Sequence, residues 1–242
     1  MRIRLRFTKV GKVRFLGHLD LARCWERAIR RAELPIAYSE GFSPRPKVHF
    51  GLALPTGAQS LAEYIDIDLT RPVELEGVAT ILSNLLPTGV EITGCSEVAG
   101  NAEALQAVVT SCTWRFSYDQ GSISGSRLND RCAEVLAADE IELELIRKKK
   151  PLVEDVRPAI LGLTVESAAA SEPALLAEVA VKPRSLKPSE ILSILGEEFG
   201  THRITRIEQW TVVEGQRVVP LEADLVSNPI EGVVLLEGSD VH

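Results

Sequence analysis

Apolar and charged residues alternate at the start of the chain, where Ile3, Leu5 and Phe7 interleave with Arg2, Arg4 and Arg6. A period of two predicts a strand with one buried face and one arginine-bearing face. A turn at Gly11-Lys12 leads to residues 13–16, a second short strand or a bent continuation of the first. The period then lengthens to 3.6. Leu21, Trp25, Ala28, Ile29 and Ala32 share one helical face, Arg23, Arg27, Arg30 and Arg31 lie opposite, and Pro35 stops the helix. Residues 36–60 are interrupted by Gly41, Pro44, Pro46, Gly51, Pro55 and Gly57 and are predicted to be extended. A strand over 61–70, a helix over 75–86 and a closing strand over 90–99 complete a β-α-β-β-α-β order, the ferredoxin-like pattern.

The same order recurs from residue 101. Strand 107–118 is followed by helix 126–138 and by strand 140–147, in which Ile141, Leu143 and Leu145 alternate with Glu142 and Glu144. Further strands are predicted over 153–165 and 175–181. A helix follows Lys187-Pro188-Ser189-Glu190, with Ser189 the candidate cap, and a last strand covers 202–213. The predicted fold class is α+β: two tandem ferredoxin-like (βαββαβ) domains with antiparallel sheets. Their boundaries are 1–100 for a basic N-terminal domain and 101–213 for the second, with an acidic, mobile tail over 214–242.

Composition narrows the classes. The chain has 242 residues, 45% hydrophobic and 25% charged, ordinary for a globular protein. No run reaches the ~18 apolar residues of a membrane helix. The N-terminus has no continuous apolar segment of the kind a secretory signal needs, so a cytoplasmic protein is expected. The net charge of −7 is unevenly spread: residues 1–50 hold 12 Lys and Arg against 4 Asp and Glu, and the remainder is acidic. That asymmetry describes a basic binding face on an acidic body. Cys24, Cys95, Cys112 and Cys132 form neither a CxxC pair nor a CxxxCxxC triad. They are expected to be free, mostly buried thiols, with no metal site and no cluster of the chain's own.

Nucleotide-loop, dinucleotide, hydrolase-elbow and zincin motifs are all missing. The densest signal is the first fifty residues, which supply a candidate polyanion-binding set: Arg2, Arg4, Arg6, Lys9, Lys12, Arg14, Arg23, Arg27, Arg30, Arg31, Phe42, Arg45, Lys47 and His49. Cations interleaved with aromatics suit phosphate contact and base stacking, and the prolines of 41–51 stiffen that loop. The bland alternatives are a solvated helix face and a hairpin packed on its own sheet. His18, Asp20 and His49 are the only acid/base candidates. His18, at the start of the basic helix, contacts an anion or caps the helix. Four cations at 147–150, and Lys182, Arg184 and Lys187, form further basic turns.

Three blocks resemble a known family. They are Arg14-Phe15-Leu16-Gly17-His18-Leu19-Asp20, then Arg27-Ala28-Ile29-Arg30-Arg31-Ala32, and Tyr38-Ser39-Glu40-Gly41-Phe42-Ser43-Pro44-Arg45-Pro46-Lys47. They are similar to the radical SAM-linked protein family defined by the DUF2344 domain. Weaker matches continue through Ala62-Glu63-Tyr64, 147–158, 186–190 and Ile204-Thr205-Arg206. The 148–158 segment departs from the family by being less basic and lacking a glycine. Family members are encoded beside, or fused to, a radical SAM protein. The resemblance therefore implies a partner that carries an iron–sulfur cluster and S-adenosylmethionine, and it assigns no catalytic residue here. The leading expectation is a non-catalytic accessory subunit that binds RNA or presents an RNA-like substrate. An RNA-directed enzyme using His18 and His49, and a protein-binding adaptor, are the alternatives.

Overall fold

The computed structural model describes residues 1–100, 102–119, 122–147, 150–166, 173–223 and 234–235. In chain order the elements are β1 (Arg2–Lys9), a 3-10 helix (Gly11–Phe15), α1 (His18–Arg31), β2 (Val48–Phe50), β3 (Gln59–Asp68), α2 (Val78–Leu85), β4 (Ile92–Val98), α3 (Leu105–Val108) and β5 (Val109–Ser117). They continue with α4 (Gly125–Ala137), β6 (Glu142–Arg147), β7 (Lys150–Asp155), β8 (Ile160–Glu166), β9 (Ala174–Ala180), α5 (Pro188–Leu195), β10 (Arg203–Val213), β11 (Gln216–Val218) and β12 (Val234–Leu235). The fold is mixed α+β. No helix among the described residues is long and apolar enough to cross a membrane.

Two compact units divide the chain, Met1–Val109 with Glu208–His242, and Thr110–Ile207. The first unit has the strand order β12-β4-β1-β3-β10, with β2 also on β3 and β11 on β10. Antiparallel pairing joins β1 to β3, β1 to β4 and β2 to β3. Alternation decides which side of this sheet is which. Ile3, Leu5 and Phe7 with Ile65 and Ile67 form one face, covered by Leu21, Trp25, Ala28 and Ile29 of α1 and Val78, Ala79 and Leu82 of α2. Phe7 meets Trp25 edge-on with centroids 5.0 Å apart. Each fully buried side chain of this kind stabilises the fold by about 1.5–3 kcal/mol. The opposite face carries a smaller core of Ala62, Tyr64, Leu105 and Leu221, with Val108 and Val219 against it.

In the second unit the order is β10-β5-β9-β8, with β5–β9 and β8–β9 antiparallel. Leu128, Cys132 and Val135 of α4 and Ile191, Ile194 and Leu195 of α5 are buried. Strands β6 and β7 form a separate hairpin. None of the four cysteines is in a disulfide, and Cys95, Cys112 and Cys132 are buried.

Several expectations change. Residues 11–15 form a 3-10 helix rather than a strand, because Gly11 turns at φ 65° and only Val13 is buried. The expected strand over 153–165 is broken by a 3-10 turn at Arg157–Ala159, where Pro158 has no N–H for a ladder. Strand 140–147 pairs with β7 instead of joining the larger sheet. At α5 the cap is Lys187 with Glu190, not Ser189: the Lys187 backbone N–H donates to the Glu190 carboxylate at 2.7 Å. The unit boundaries fall at 109/110 and 207/208 rather than at 100/101 and 213/214. Within the expected tail, 216–218 form β11 on β10 and Leu221 is buried. Residues 224–233 and 236–242 of that tail, and Lys148 and Lys149, lie outside the described residues.

Candidate functional site

The arginine-bearing face of β1 is not a solvent-facing cationic surface. Asp66 and Asp68 alternate with Ile65 and Ile67 along β3, and the register sets Arg4 opposite Asp66 and Arg2 opposite Asp68. Arg4 and Asp66 are each 1% exposed. The Arg4 guanidinium donates two bonds to the Asp66 carboxylate, at 2.8 and 2.9 Å, and a third to the Pro220 carbonyl at 3.0 Å. Arg2 Nε donates to Asp68 at 2.6 Å. Arg6 donates to Glu208 at 2.7 Å and to Thr93 Oγ1 at 3.1 Å, and Glu208 also accepts from the Tyr64 hydroxyl at 2.9 Å. His49 Nε2 lies 3.5 Å from Asp68. Burial alone would push the Asp68 carboxyl up, but Arg2 and His49 together hold it below its ordinary value. Arg2, Arg4 and Arg6 therefore leave the candidate polyanion set, because each is neutralised by a carboxylate of the protein and Arg4, held also by the Pro220 carbonyl, is buried.

Lys9, 3% exposed, leaves the set as well, and His49 is taken up by Asp68; the rest of the set is exposed, with Arg14 half-buried. On α1 the apolar stripe faces the core, so Arg23, Arg27, Arg30 and Arg31 project outward and are exposed. Arg23 pairs with Asp20 at 3.0 Å, and Arg27 donates to Cys24 Sγ at 3.3 Å. Lys12 is exposed, and the Arg14 guanidinium lies 4.7 Å from the Phe15 ring centroid. Residues 37–47 form a closed strap: Lys47 N–H donates to Ala37 O, Ser39 N–H to Arg45 O, and Arg45 N–H to Ser39 Oγ. At its tip Phe42 is fully exposed, beside exposed Arg45 and Lys47.

A third arrangement was not legible in the sequence. At the start of α1 opens a cleft of about 330 Å³, whose lining includes Lys9, His18, Phe50, Glu63, Tyr64 and Gln106. Lys9 is 3% exposed and donates to the Leu16 carbonyl at 2.8 Å. Burial pushes its pKa down, and the charge of Glu63 pulls the other way. The His18 ring stands edge-on to Phe50 at 4.9 Å. Gln106 Nε2 donates to the Phe50 and Gly51 carbonyls at 3.2 and 3.3 Å, fixing that wall. The cleft gathers two residues the sequence singled out, Lys9 and His18, and excludes two others. Asp20 is exposed and paired with Arg23, and His49 sits beside Asp68. His18 and His49, the acid/base candidates of the alternative enzyme reading, are thus not brought together in this cleft. Glu63, which the sequence marked only within a family match, and Gln106 carry no site signal of their own, because each is an ordinary polar residue until the fold places it. Among the described residues no cluster of three or more His, Cys, Asp or Glu is arranged to hold a metal ion.

A search of curated proteins finds no match. A family profile described as "Uncharacterized protein conserved in bacteria (DUF2344)" matches residues 2–188. That span contains α1, the 37–47 strap and every described residue lining the cleft. With well over half of its length matched, the chain belongs to the DUF2344 family.

Proposed function

We propose that this chain is a non-catalytic, cytoplasmic accessory subunit of a radical SAM protein and that it binds RNA, or presents an RNA-like substrate, to that partner. The iron–sulfur cluster and S-adenosylmethionine belong to the partner. The family resemblance supports the partner, and one observation carries the RNA contact: four arginines project from the outer face of a single helix, α1. The fully exposed Phe42, in the same strap as Arg45 and Lys47, adds a stacking platform. Polyanion binding thus rests on Lys12, Arg14, Arg23, Arg27, Arg30, Arg31, Phe42, Arg45 and Lys47, a narrower set than the sequence offered. In the same reading each unit is a ferredoxin-like βαββαβ module, supported by the orders β4-β1-β3-β2 and β10-β5-β9-β8 and by antiparallel pairing of β1–β3, β1–β4, β2–β3, β5–β9 and β8–β9.

The test is fluorescence anisotropy with single-stranded RNA across a salt series. About six phosphate contacts give a slope of log K against log salt near −4, from ~0.7 per contact on single strands. Arg27→Glu/Arg30→Glu/Arg31→Glu should weaken binding at least tenfold. Salt-independent affinity, or affinity unchanged by the triple reversal, refutes the interface. Co-purification with the neighbouring radical SAM protein tests the partner, and capture of that partner without any RNA binding favours the adaptor alternative.

A further inference from the structure

We infer that the cleft at the start of α1 receives one unstacked base of the bound RNA. The inference rests on the RNA reading above and names what the cleft does within it. The cleft and the cationic face share one element, since His18 lines the cleft and Arg23, Arg27, Arg30 and Arg31 follow on the same helix. His18 and Leu21, which line the cleft, fall on the core-facing side of α1 and the four arginines on the opposite side, so a strand on the arginines reaches the cleft by passing round the helix start at Gly17.

Three features select a heterocyclic base over other ligands. Size is the first. About 330 Å³ lies at the lower end of the ~300–1,000 Å³ of small-molecule sites, which suits one ring system. The walls are the second. Leu21, Val48, Leu52 and Leu54 offer apolar contact to ring faces, and Phe50 and His18 add aromatic surface. Charge and hydrogen bonding are the third. Lys9 and Glu63 line the same cleft with opposite charges, so the interior does not favour a free phosphate. An ammonium has three donors, of which the Leu16 carbonyl takes one, and a carboxylate accepts at about four lone-pair sites. Donor and acceptor side by side complement the edge of a base, where N–H and acceptor atoms alternate. Outside the cleft, no side chain caps α1 at Gly17. The positive end of its dipole favours the flanking phosphate. Drawing a base out of the stack costs a few kcal/mol in a duplex and least in a single strand, consistent with a single-stranded ligand.

The experiment uses the full chain and single-stranded RNA 12-mers, each with a 5′ fluorescein and one 2-aminopurine at successive positions. Anisotropy reports binding, and 2-aminopurine intensity reports the environment of that base. Wild type should bind and change the intensity at least threefold at one position. Glu63→Gln removes the acceptor charge, and Leu54→Trp fills the cleft from a half-exposed site. Both should abolish the intensity change and weaken the Kd from anisotropy by about tenfold, the share of one base contact, with circular dichroism confirming the fold. Binding with no intensity change at any position, or an intensity change that both variants retain, overturns the inference and leaves the RNA interface standing. No anisotropy change at all overturns the RNA reading and this inference with it.

Discussion

Replacing Asp66 by Leu removes the carboxylate from a bidentate pair whose two members are each about 1% exposed. The Arg4 guanidinium then keeps only the Pro220 carbonyl at 3.0 Å. Breaking a buried pair on one side typically destabilises by about 3–5 kcal/mol, because it strands a desolvated charge. With a urea m-value of roughly 2 kcal/mol per M, the midpoint of the first unit should fall by about 1.5–2.5 M. The double replacement Arg4→Met/Asp66→Leu leaves no charge behind. Exchange of a whole buried pair for apolar groups is commonly neutral or stabilising by about 1–4 kcal/mol. The double variant should therefore be within about 1 kcal/mol of wild type or above it, far from the sum of the single effects. Trp25 and Trp210 lie in the first unit and Trp114 in the second, so a Trp114→Phe background confines tryptophan emission to the first. A single-variant loss below about 1 kcal/mol, or additive losses in the double, would refute the buried-pair argument.

Burial pushes the Lys9 pKa below 10.5, so at any pH below the folded value both folded and unfolded chains are protonated and the burial penalty is present in full. As pH rises through the folded value toward 10.5 the folded form loses its proton first, the unfolded chain binds more protons, and stability attributable to Lys9 increases. The stability advantage of Lys9→Met over wild type should shrink along that rise in paired urea titrations, and a constant difference contradicts it. Gly89 has φ 95°, and an added Cβ would lie 2.3 Å from the Val10 carbonyl oxygen. Gly89→Ala should destabilise by about 2–5 kcal/mol, combining left-handed backbone strain with overpacking. Gly94→Ala meets the Leu221 side chain at 3.3 Å and Arg6 Cβ at 3.9 Å, with no backbone atom among them, and should cost less; equal urea midpoints for the two variants refute this.

Period alone determined which residues of β1 and α1 face the first core: Ile3, Leu5 and Phe7 at spacing two, Leu21, Trp25, Ala28 and Ile29 at helical spacing. Those local patterns also determined that Arg23, Arg27, Arg30 and Arg31 point outward, because a helix cannot bury two opposite faces against one sheet. Whether the strand arginines stay in water was decided only by tertiary structure. Alternation says that Arg2, Arg4 and Arg6 share a face, and the same alternation in Tyr64, Asp66 and Asp68 was visible. Nothing local, however, states that β3 is the neighbour or that the Pro220 carbonyl returns to hold Arg4. The cleft is still less local. Lys9, His18, Glu63 and Gln106 come from four separate segments, and the contacts between them exist only after the chain has closed. A sequence records the periodicity that packing requires along one element. It does not record which distant polar side chains that packing brings together, and the candidate chemistry of this protein lies in that second class.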